Sequence, residues 1–230
     1  MSLHTVYLPD LISYESIITV TGEEAHHAVR VKRLMVGNGI GFANGQGRRV
    51  VAEIQAIDKT RDGWVVRAQP REILDVPRPE PRLAVYAAAP KGDRLEHMID
   101  GLSQVGAMSW SPLVSRRTVV EPREQKLERL ERIAVEGLKQ CGASWTLEIR
   151  PATTFSEAIK LPGLVLADAS GEPWSGPTPA VATLLIGPEG GWTPEELDLA
   201  RGAGARIAKF GGFILRTEVA TVVAAAALMM

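Results

Sequence analysis

Residues 184–194 read Leu-Leu-Ile-Gly-Pro-Glu-Gly-Gly-Trp-Thr-Pro, and this stretch decides the fold class of the chain. The apolar run 182–186 has the length of a buried strand and ends abruptly in a glycine-rich turn. A helix begins directly afterwards, because Thr193 suits an N-cap, Pro194 suits the first helical position and Glu196 completes a capping box. Strand, glycine turn and capped helix together indicate a ligand-binding loop at the carboxyl end of a strand in an open α/β sheet.

The sequence after residue 82 continues this rhythm of strands and helices. Apolar runs occupy 83–89, 164–167, 183–186 and 207–210, and helical patterns cover 93–105, 122–141, 194–202 and 218–230. Strands that alternate with helices predict a parallel sheet with helices on both faces, which is an α/β fold.

The first 75 residues have a different character. Runs of alternating apolar and polar residues, such as 50–57 and 64–68, are separated by Asn-Gly and Asp-Gly turns, which predicts a small antiparallel β-barrel. Only residues 22–34 resemble a short helix. The proline-rich tract 76–82 then predicts a stiff linker. The expected domains are therefore 1–75, a linker at 76–82, and 83–230.

A second motif makes the first one specific. Residues 210–221 read Phe-Gly-Gly-Phe-Ile-Leu-Arg-Thr-Glu-Val-Ala-Thr and lead into an Ala/Val-rich segment that reaches Met230. The two motifs resemble those of the RsmE-like small-subunit (16S) ribosomal RNA uracil-N3 methyltransferases of the SPOUT superfamily. Shorter strings at 26–33, 90–94 and 140–142 extend the resemblance over nearly the whole chain. It implies a SPOUT-type parallel-sheet domain with a trefoil knot, preceded by a PUA-like antiparallel β-barrel that binds RNA.

The resemblance also implies a chemistry, the transfer of a methyl group from S-adenosyl-L-methionine to N3 of a uridine in small-subunit ribosomal RNA. Three loops that follow strands would hold this cofactor, largely through backbone groups. The implied cofactor-binding residues are Leu166, Ala167, Asp168, Ile186, Gly187, Pro188, Glu189, Gly190, Gly191, Ile214, Leu215 and Thr217.

Two residues of the second motif are the implied catalytic groups. The Arg216 guanidinium offers a rigid fork of donors for the anion that develops on uracil. Glu218 is a candidate base for the N3 proton, although at a helix N-terminus its carboxylate equally suits a purely structural role. The implied RNA-binding residues are His26, His27, Arg30, Arg33, Lys91, Arg94 and Arg117. An ordinary solvated helix or loop remains the alternative for these basic positions.

The amino-acid composition excludes few classes of binding partner. The formal net charge is −1, and residues 1–80 carry ten basic and ten acidic side chains, so an RNA-binding surface has to be a local patch. The single cysteine, Cys141, excludes an intrachain disulfide, and adjacent histidines without a cysteine or carboxylate cluster make weak metal ligands. No metal site and no membrane segment are expected, and the predicted location is the cytoplasm.

Several alternatives stay open. Gly101, Gln104, Ala143 and Val219 depart from the pattern of the family. These departures leave the donor loops intact and concern RNA contact and target recognition. A non-catalytic RNA-binding or ribosome-assembly protein on the same fold is the second hypothesis, and a phosphate-binding protein that uses the glycine turn is the weakest. The segment 218–230 is apolar around nearly its whole circumference, which predicts a homodimer built on this helix. A helix buried within its own subunit is the other explanation of that pattern.

Overall fold

The computed structural model describes residues 3–11, 17–120 and 122–230, and it divides into two compact units. The first unit comprises Met1–Arg78 together with Leu138–Trp145, and the second comprises Pro79–Gly137 together with Thr146–Met230. The sequence predicted one change of domain at 76–82. A second segment, far along the chain, thus joins the N-terminal unit.

The first unit is built on one five-stranded sheet. Its strands lie in the order β1-β3-β4-β5-β2, and all neighbours are antiparallel except the parallel pair β1 and β3. The alternating sequence of β4 and β5 sends every second side chain into the core, as the predicted antiparallel barrel requires. The strands are β1 (Thr5–Tyr7), β2 (Ile18–Val20), β3 (Gly39–Ala43), β4 (Arg48–Thr60) and β5 (Gly63–Asp75).

The helical segment predicted at 22–34 is present in two parts. Helix α1 spans Gly22–His26, and one π-helical turn continues it over His27–Val31. Ala25 and Ala28 are fully buried in the core of the first unit, so the helix packs closely on the sheet through small side chains.

The segment Leu138–Trp145 completes the first unit through hydrogen bonds. The amide of Gly47 donates to the oxygen of Ser144 at 2.8 Å, and the indole of Trp145 donates to the oxygen of Val76 at 3.0 Å. A Cβ at Gly47 would lie 2.6 Å from the Trp145 ring, and the φ of Gly47 is +96°, so only glycine suits this position.

The second unit is an α/β layer structure with a wholly parallel sheet. Its strand order is β12-β10-β11-β6-β7-β8, and β9 also pairs with β7. The strands are β6 (Arg82–Ala87), β7 (Ser109–Val114), β8 (Glu148–Ile149), β9 (Thr153–Thr154), β10 (Leu164–Pro173), β11 (Val181–Ile186) and β12 (Arg206–Lys209). The helices are α2 (Arg94–Gln104), α3 (Glu124–Cys141), α4 (Phe155–Ala158), α5 (Pro194–Gly202) and α6 (Thr217–Met229).

The sheet is covered on both faces, which confirms the predicted fold class. Leu83, Val85 and Ala87 of β6 point into one apolar core, with α2, α3 and α6. Ala84 and Tyr86 point into the opposite core, with α4 and α5. Buried side chains on both faces explain why the central strands read as continuous apolar runs.

Helix α6 returns to the middle of the sheet, where it packs on α2, β6 and β11. At the α2 contact, a Cβ at Gly101 would lie 2.7 Å from a methyl group of Val222. The close approach of the two helices explains the glycine found there. The trefoil knot that the resemblance implies stays a prediction. No helix in the described ranges is both long and apolar enough to cross a membrane.

Candidate functional site

A cavity of about 610 Å³ opens at the carboxyl ends of β10, β11 and β12 in the second unit. Ligands of open parallel sheets bind at this edge, because the loops that follow neighbouring strands converge there. Three segments line the cavity: 167–169 within β10, 186–189 with 191–192 at and after the end of β11, and 208–217 from the end of β12 to the start of α6. They overlap the three loops that the family resemblance implies.

Most of the predicted cofactor-binding residues line this cavity, but two do not. Leu166 is fully buried on the face of β10 that packs against α4 and α5, so its side chain belongs to the core. A Cβ at Gly190 would meet the Arg117 side chain at 3.3 Å, so that glycine faces the loop after β7. The lining includes Ala167, Asp168, Ile186, Gly187, Pro188, Glu189, Gly191, Ile214, Leu215 and Thr217.

Trp192 is one of the side chains at the cavity that are absent from the predicted site residues; Lys209, Phe210 and Phe213 are others. It is 6% exposed, and its indole Nε1 donates a hydrogen bond to the backbone oxygen of Ala167 at 3.0 Å. A Cβ at Gly187 would lie 3.0 Å from the Trp192 ring, so the glycine leaves room for the indole. Trp192 therefore joins the loop after β11 to β10 at Ala167. Its position directly after Gly190-Gly191 was the available signal.

The capping box predicted for α5 is confirmed. The amide of Glu196 donates to the Thr193 hydroxyl at 3.2 Å, and the amide of Thr193 donates to Glu196 Oε2 at 2.9 Å. The other carboxylate oxygen, Oε1, accepts from the amide of Arg116 at 2.9 Å. Glu196 is 3% exposed, so a buried carboxylate stabilised by two backbone amides connects the start of α5 to the loop after β7.

Arg117, predicted to bind RNA, has partners inside the protein. Its Nη1 donates to the backbone oxygen of Gly190 at 2.6 Å and to that of Trp192 at 3.3 Å. Both acceptors belong to the cavity loop after β11. Arg94, also placed among the RNA-binding residues, is 3.9 Å from Glu189 of the same loop.

Charged and apolar groups share the rim of the cavity. Asp168 accepts hydrogen bonds from the amide and hydroxyl of Ser170, while Lys209 and Arg216 contribute positive charge. Phe213 and Ile214 are 91% and 93% exposed, so the loop before α6 presents apolar side chains at the opening.

The two predicted catalytic residues differ in their relation to the cavity. Arg216 is exposed, forms the N-cap of α6 and lines the cavity. Glu218 lies in the first turn of α6 outside the lining, and its buried Oε2 has no hydrogen-bond partner among the described residues. The geometry thus brings Arg216, but not Glu218, directly to the cavity surface.

The basic residues predicted in the first unit lie on α1 and the turns that follow it. His26, Arg30 and Arg33 are exposed. The His27 ring is partly buried and stacks on His4 with the two ring centroids 5.3 Å apart, so His27 has a packing role. Arg33 adopts a φ of 55°, which turns the chain at the end of the helical segment.

In the second unit, Lys91 is exposed in the loop after β6. Across residues 3–11, 17–120 and 122–230, no three His, Cys, Asp or Glu side chains are grouped so that they could hold a metal ion.

The chain matches two known domain families. Residues 78–229 match the RNA methyltransferase domain, and residues 20–61 match the RNA methyltransferase PUA domain. A relative from Synechocystis, named ribosomal RNA small subunit methyltransferase E, is 31% identical over 238 residues, which cover 98% of this chain and 77% of the relative.

Solved structures agree with this fold. A putative methyltransferase from Legionella pneumophila, solved with bound S-adenosylmethionine, has a TM-score of 0.83 at 24% identity and covers 99% of this chain and 97% of its own. A ribosomal RNA small subunit methyltransferase E from Neisseria gonorrhoeae, also solved with S-adenosylmethionine, has a TM-score of 0.81 at 22% identity, with the same coverage of 99% and 97%. Both likenesses extend over the two units of the chain.

Proposed function

The chain belongs to the RNA methyltransferase family that includes the ribosomal RNA small subunit methyltransferase E proteins, and on this premise we propose that it methylates N3 of a uridine in small-subunit ribosomal RNA. S-adenosyl-L-methionine is the proposed methyl donor. The observation that carries the proposal is the cavity of about 610 Å³ formed by three strand-end loops, because it assembles the residues of both sequence motifs in one place.

The cavity suits this donor in size and in chemistry. Small-molecule sites commonly measure about 300–1,000 Å³ and combine an apolar lining with a few polar groups. Pro188, Ile214 and Leu215 provide apolar surface for the adenine ring of the donor, and the glycines expose backbone groups at the cavity wall. The carboxylate of Asp168 provides acceptors for hydroxyl or ammonium protons.

Bound in the cavity, S-adenosyl-L-methionine would supply an activated methyl group on a sulfonium. The remaining requirements fall to the protein, which has to hold the uracil in line with that methyl group and to assist the loss of its N3 proton. Arg216 stands at the cavity surface and is free to donate to uracil oxygens, where negative charge grows as N3 is deprotonated. Glu218 is the candidate base, and its position outside the lining equally supports a structural role at the start of α6.

Replacement of these two residues separates binding from chemistry. Arg216→Lys keeps the charge and loses the planar fork, so we expect kcat to fall about tenfold or more with donor affinity unchanged within about twofold. Glu218→Gln removes the carboxylate and retains the shape of the side chain. If Glu218 is the base, kcat should fall by a large factor, and the pH profile of kcat should lose its decline on the acidic side. Methylation of purified small subunits by the wild type, followed by mass spectrometry of the RNA, tests the proposed activity itself.

RNA binding is proposed for the first unit, which matches the PUA domain and exposes His26, Arg30 and Arg33 along one short segment. His27 belongs to the same segment, and Lys91 is a separate proposed RNA contact in the second unit. Phosphate contacts of such a local patch are compatible with a net charge of −1.

A homodimer is proposed on α6. One face of this helix buries Ala224, Ala225 and Leu228, while Val219 and Val223 remain 43% and 41% exposed. The apolar residues on the exposed side favour coverage by a second copy. Light scattering over a dilution series should give twice the monomer mass of 24.8 kDa, and a constant monomer mass would end this proposal.

A non-catalytic RNA-binding or ribosome-assembly protein is the second candidate. It predicts RNA binding without affinity for the methyl donor, whereas the enzyme requires both. Calorimetric titration with S-adenosylmethionine therefore separates the two functions before any activity is measured.

A further inference from the structure

The loop after β7 contacts the cavity loop after β11, although these two strands are separated in the sheet by β6. Three hydrogen bonds join them: two from the Arg117 guanidinium to the oxygens of Gly190 and Trp192, and one from the amide of Arg116 to the carboxylate of Glu196. The acceptors surround the turn that follows Gly187-Pro188-Glu189, which forms one wall of the cavity.

We propose that Arg117 is a positioning residue for the cavity loop after β11, and that it holds Trp192 and the loop backbone in the shape that binds the methyl donor. The inference rests on the proposed function, because it concerns the same cavity. A positioning role is the alternative to the RNA contact that the family resemblance implies for Arg117.

The contacts of Arg117 explain why this side chain can fix a glycine-rich turn. Its aliphatic carbons lie against Gly190, since a Cβ there would be only 3.3–3.4 Å away, and its charged end donates to the Gly190 oxygen at 2.6 Å. A hydrogen bond from a charged donor is stronger than a neutral one, and a guanidinium has enough N–H groups for two carbonyls. Glycine turns lack side chains of their own to limit the backbone, so an external contact has a large effect on their order.

Trp192 transmits this constraint to the rest of the cavity. Arg117 binds its backbone oxygen, and its indole in turn donates to Ala167 at 3.0 Å, while its ring packs against Gly187. A continuous series of contacts thus runs from the loop after β7 to Ala167 in β10. Loss of the first contact should loosen two of the three loops that line the cavity.

Arg116 provides a matched control. It has the same charge, is the preceding residue and is also exposed, but it contributes its backbone amide rather than its side chain to the contact with Glu196. Arg116→Ala therefore removes one positive charge from the same loop and preserves every hydrogen bond described above. If both arginines bind phosphate, the two alanine substitutions should have similar effects. If Arg117 positions the loop, only Arg117→Ala should weaken donor binding.

The experiment measures donor affinity by calorimetry in the wild type and in Arg117→Ala, Arg117→Lys and Arg116→Ala. We expect Arg117→Ala to weaken S-adenosylmethionine binding about tenfold or more, Arg117→Lys about threefold to tenfold because an ammonium replaces the fork only in part, and Arg116→Ala less than about twofold. A wild type that binds no donor would refute the proposed function. If the wild type binds the donor and Arg117→Ala binds it with the same affinity, only the present inference is refuted.

A second readout needs no donor. In protein labelled with 5-fluorotryptophan, the fluorine resonance of Trp192, assigned with Trp192→Phe, should move or broaden in Arg117→Ala and remain in place in Arg116→Ala. An unchanged Trp192 resonance would overturn the inference, even if donor affinity fell. The salt dependence of RNA binding should keep its slope in Arg117→Ala, and a slope reduced by about one phosphate contact would assign Arg117 to the RNA instead. If Arg117→Ala does not fold, Arg117→Lys carries both measurements.

Discussion

The indole nitrogen of Trp192 donates to the backbone oxygen of Ala167 across 3.0 Å, and this bond connects two of the loops that form the cavity. The two residues are 25 positions apart in the chain: Ala167 lies in β10 opposite Ile186, the last residue of β11, and Trp192 lies in the loop that follows β11. The indole is buried, so the bond is shielded from water and constrains both loops. The wall of the cavity is therefore maintained by a side chain that points away from solvent.

Gly187→Ala tests this role of Trp192. The new methyl group would lie 3.0–3.3 Å from the indole ring, so the ring has to move and its bond to Ala167 should weaken. We expect donor affinity to fall about threefold to thirtyfold, the effect of losing one or two modest interactions. Calorimetry measures it. Gly202→Ala, where a Cβ meets nothing within 4 Å, is the control and should bind as the wild type does.

Removal of charge at Arg30 and Arg33 tests the proposed RNA surface of the first unit. Each lost phosphate contact should reduce the slope of log affinity against log salt by about 0.7 on single-stranded RNA. Filter binding of the double alanine variant at several salt concentrations measures the slope. Donor affinity should not change. An identical slope in variant and wild type would place the RNA site elsewhere on the protein.

Gly101→Ala tests the close packing of α2 on α6. Alanine ordinarily stabilises a helix by about 1 kcal/mol relative to glycine. Here the methyl group would lie 2.7 Å from Val222, and overpacking of this kind typically costs about 1–3 kcal/mol. We expect a net loss of stability in urea denaturation. Gly202→Ala at the end of α5 is the control and should increase the free energy of unfolding. An increase for Gly101→Ala as well would contradict the tight contact between α2 and α6.

Glu96 predicts a pH dependence of stability. The hydrogen bond from Lys126 and the positive charges of Lys126 and Arg129 lower the pKa of this carboxyl below its ordinary value of 4.5. Because its pKa is lower in the folded state, Glu96 stabilises the protein above pH 4.5, and this contribution disappears as the pH falls through the folded-state pKa. Glu96→Gln should thus be destabilising at pH 7 by a small amount, and less destabilising at pH 3. Denaturation at both pH values measures the difference, and a constant difference would refute the assignment.

Local signals in the sequence predicted much of this structure. The capping box at Thr193 and Glu196 and the bounds of α5 are confirmed, because N-caps and first-turn prolines act over a few residues. The alternation of apolar runs and helical patterns likewise predicted the parallel sheet. Strand β7 was missed, since Ser109, Ser111 and Pro112 interrupt its apolar pattern even though all three are buried.

Contacts distant in sequence could not be predicted in the same way. The bonds of Arg117 to Gly190 and Trp192 span 73 and 75 residues, and nothing local to Arg117 distinguishes such a partner from an RNA phosphate. Segments of the three loops that the resemblance implies do line one cavity, because the loops that follow neighbouring parallel strands meet at one edge of the sheet, and their binding of a cofactor stays a prediction. Which glycine faces the cavity depends instead on the path of the backbone through the turn, as Gly190 illustrates.

The first unit is built from two segments that are distant in the chain, and this affects how it folds during synthesis. Translation delivers the chain from its N-terminus, and domains tend to fold as they emerge from the ribosome. The N-terminal sheet here lacks the partners of Gly47 and Val76 until Trp145 has been synthesised. Its final shape therefore has to wait for more than half of the polypeptide, and an isolated N-terminal fragment that ends at Arg78 would lack part of its own unit. A nascent chain stalled before Leu138 should consequently be more sensitive to protease in this region than one stalled well after Trp145.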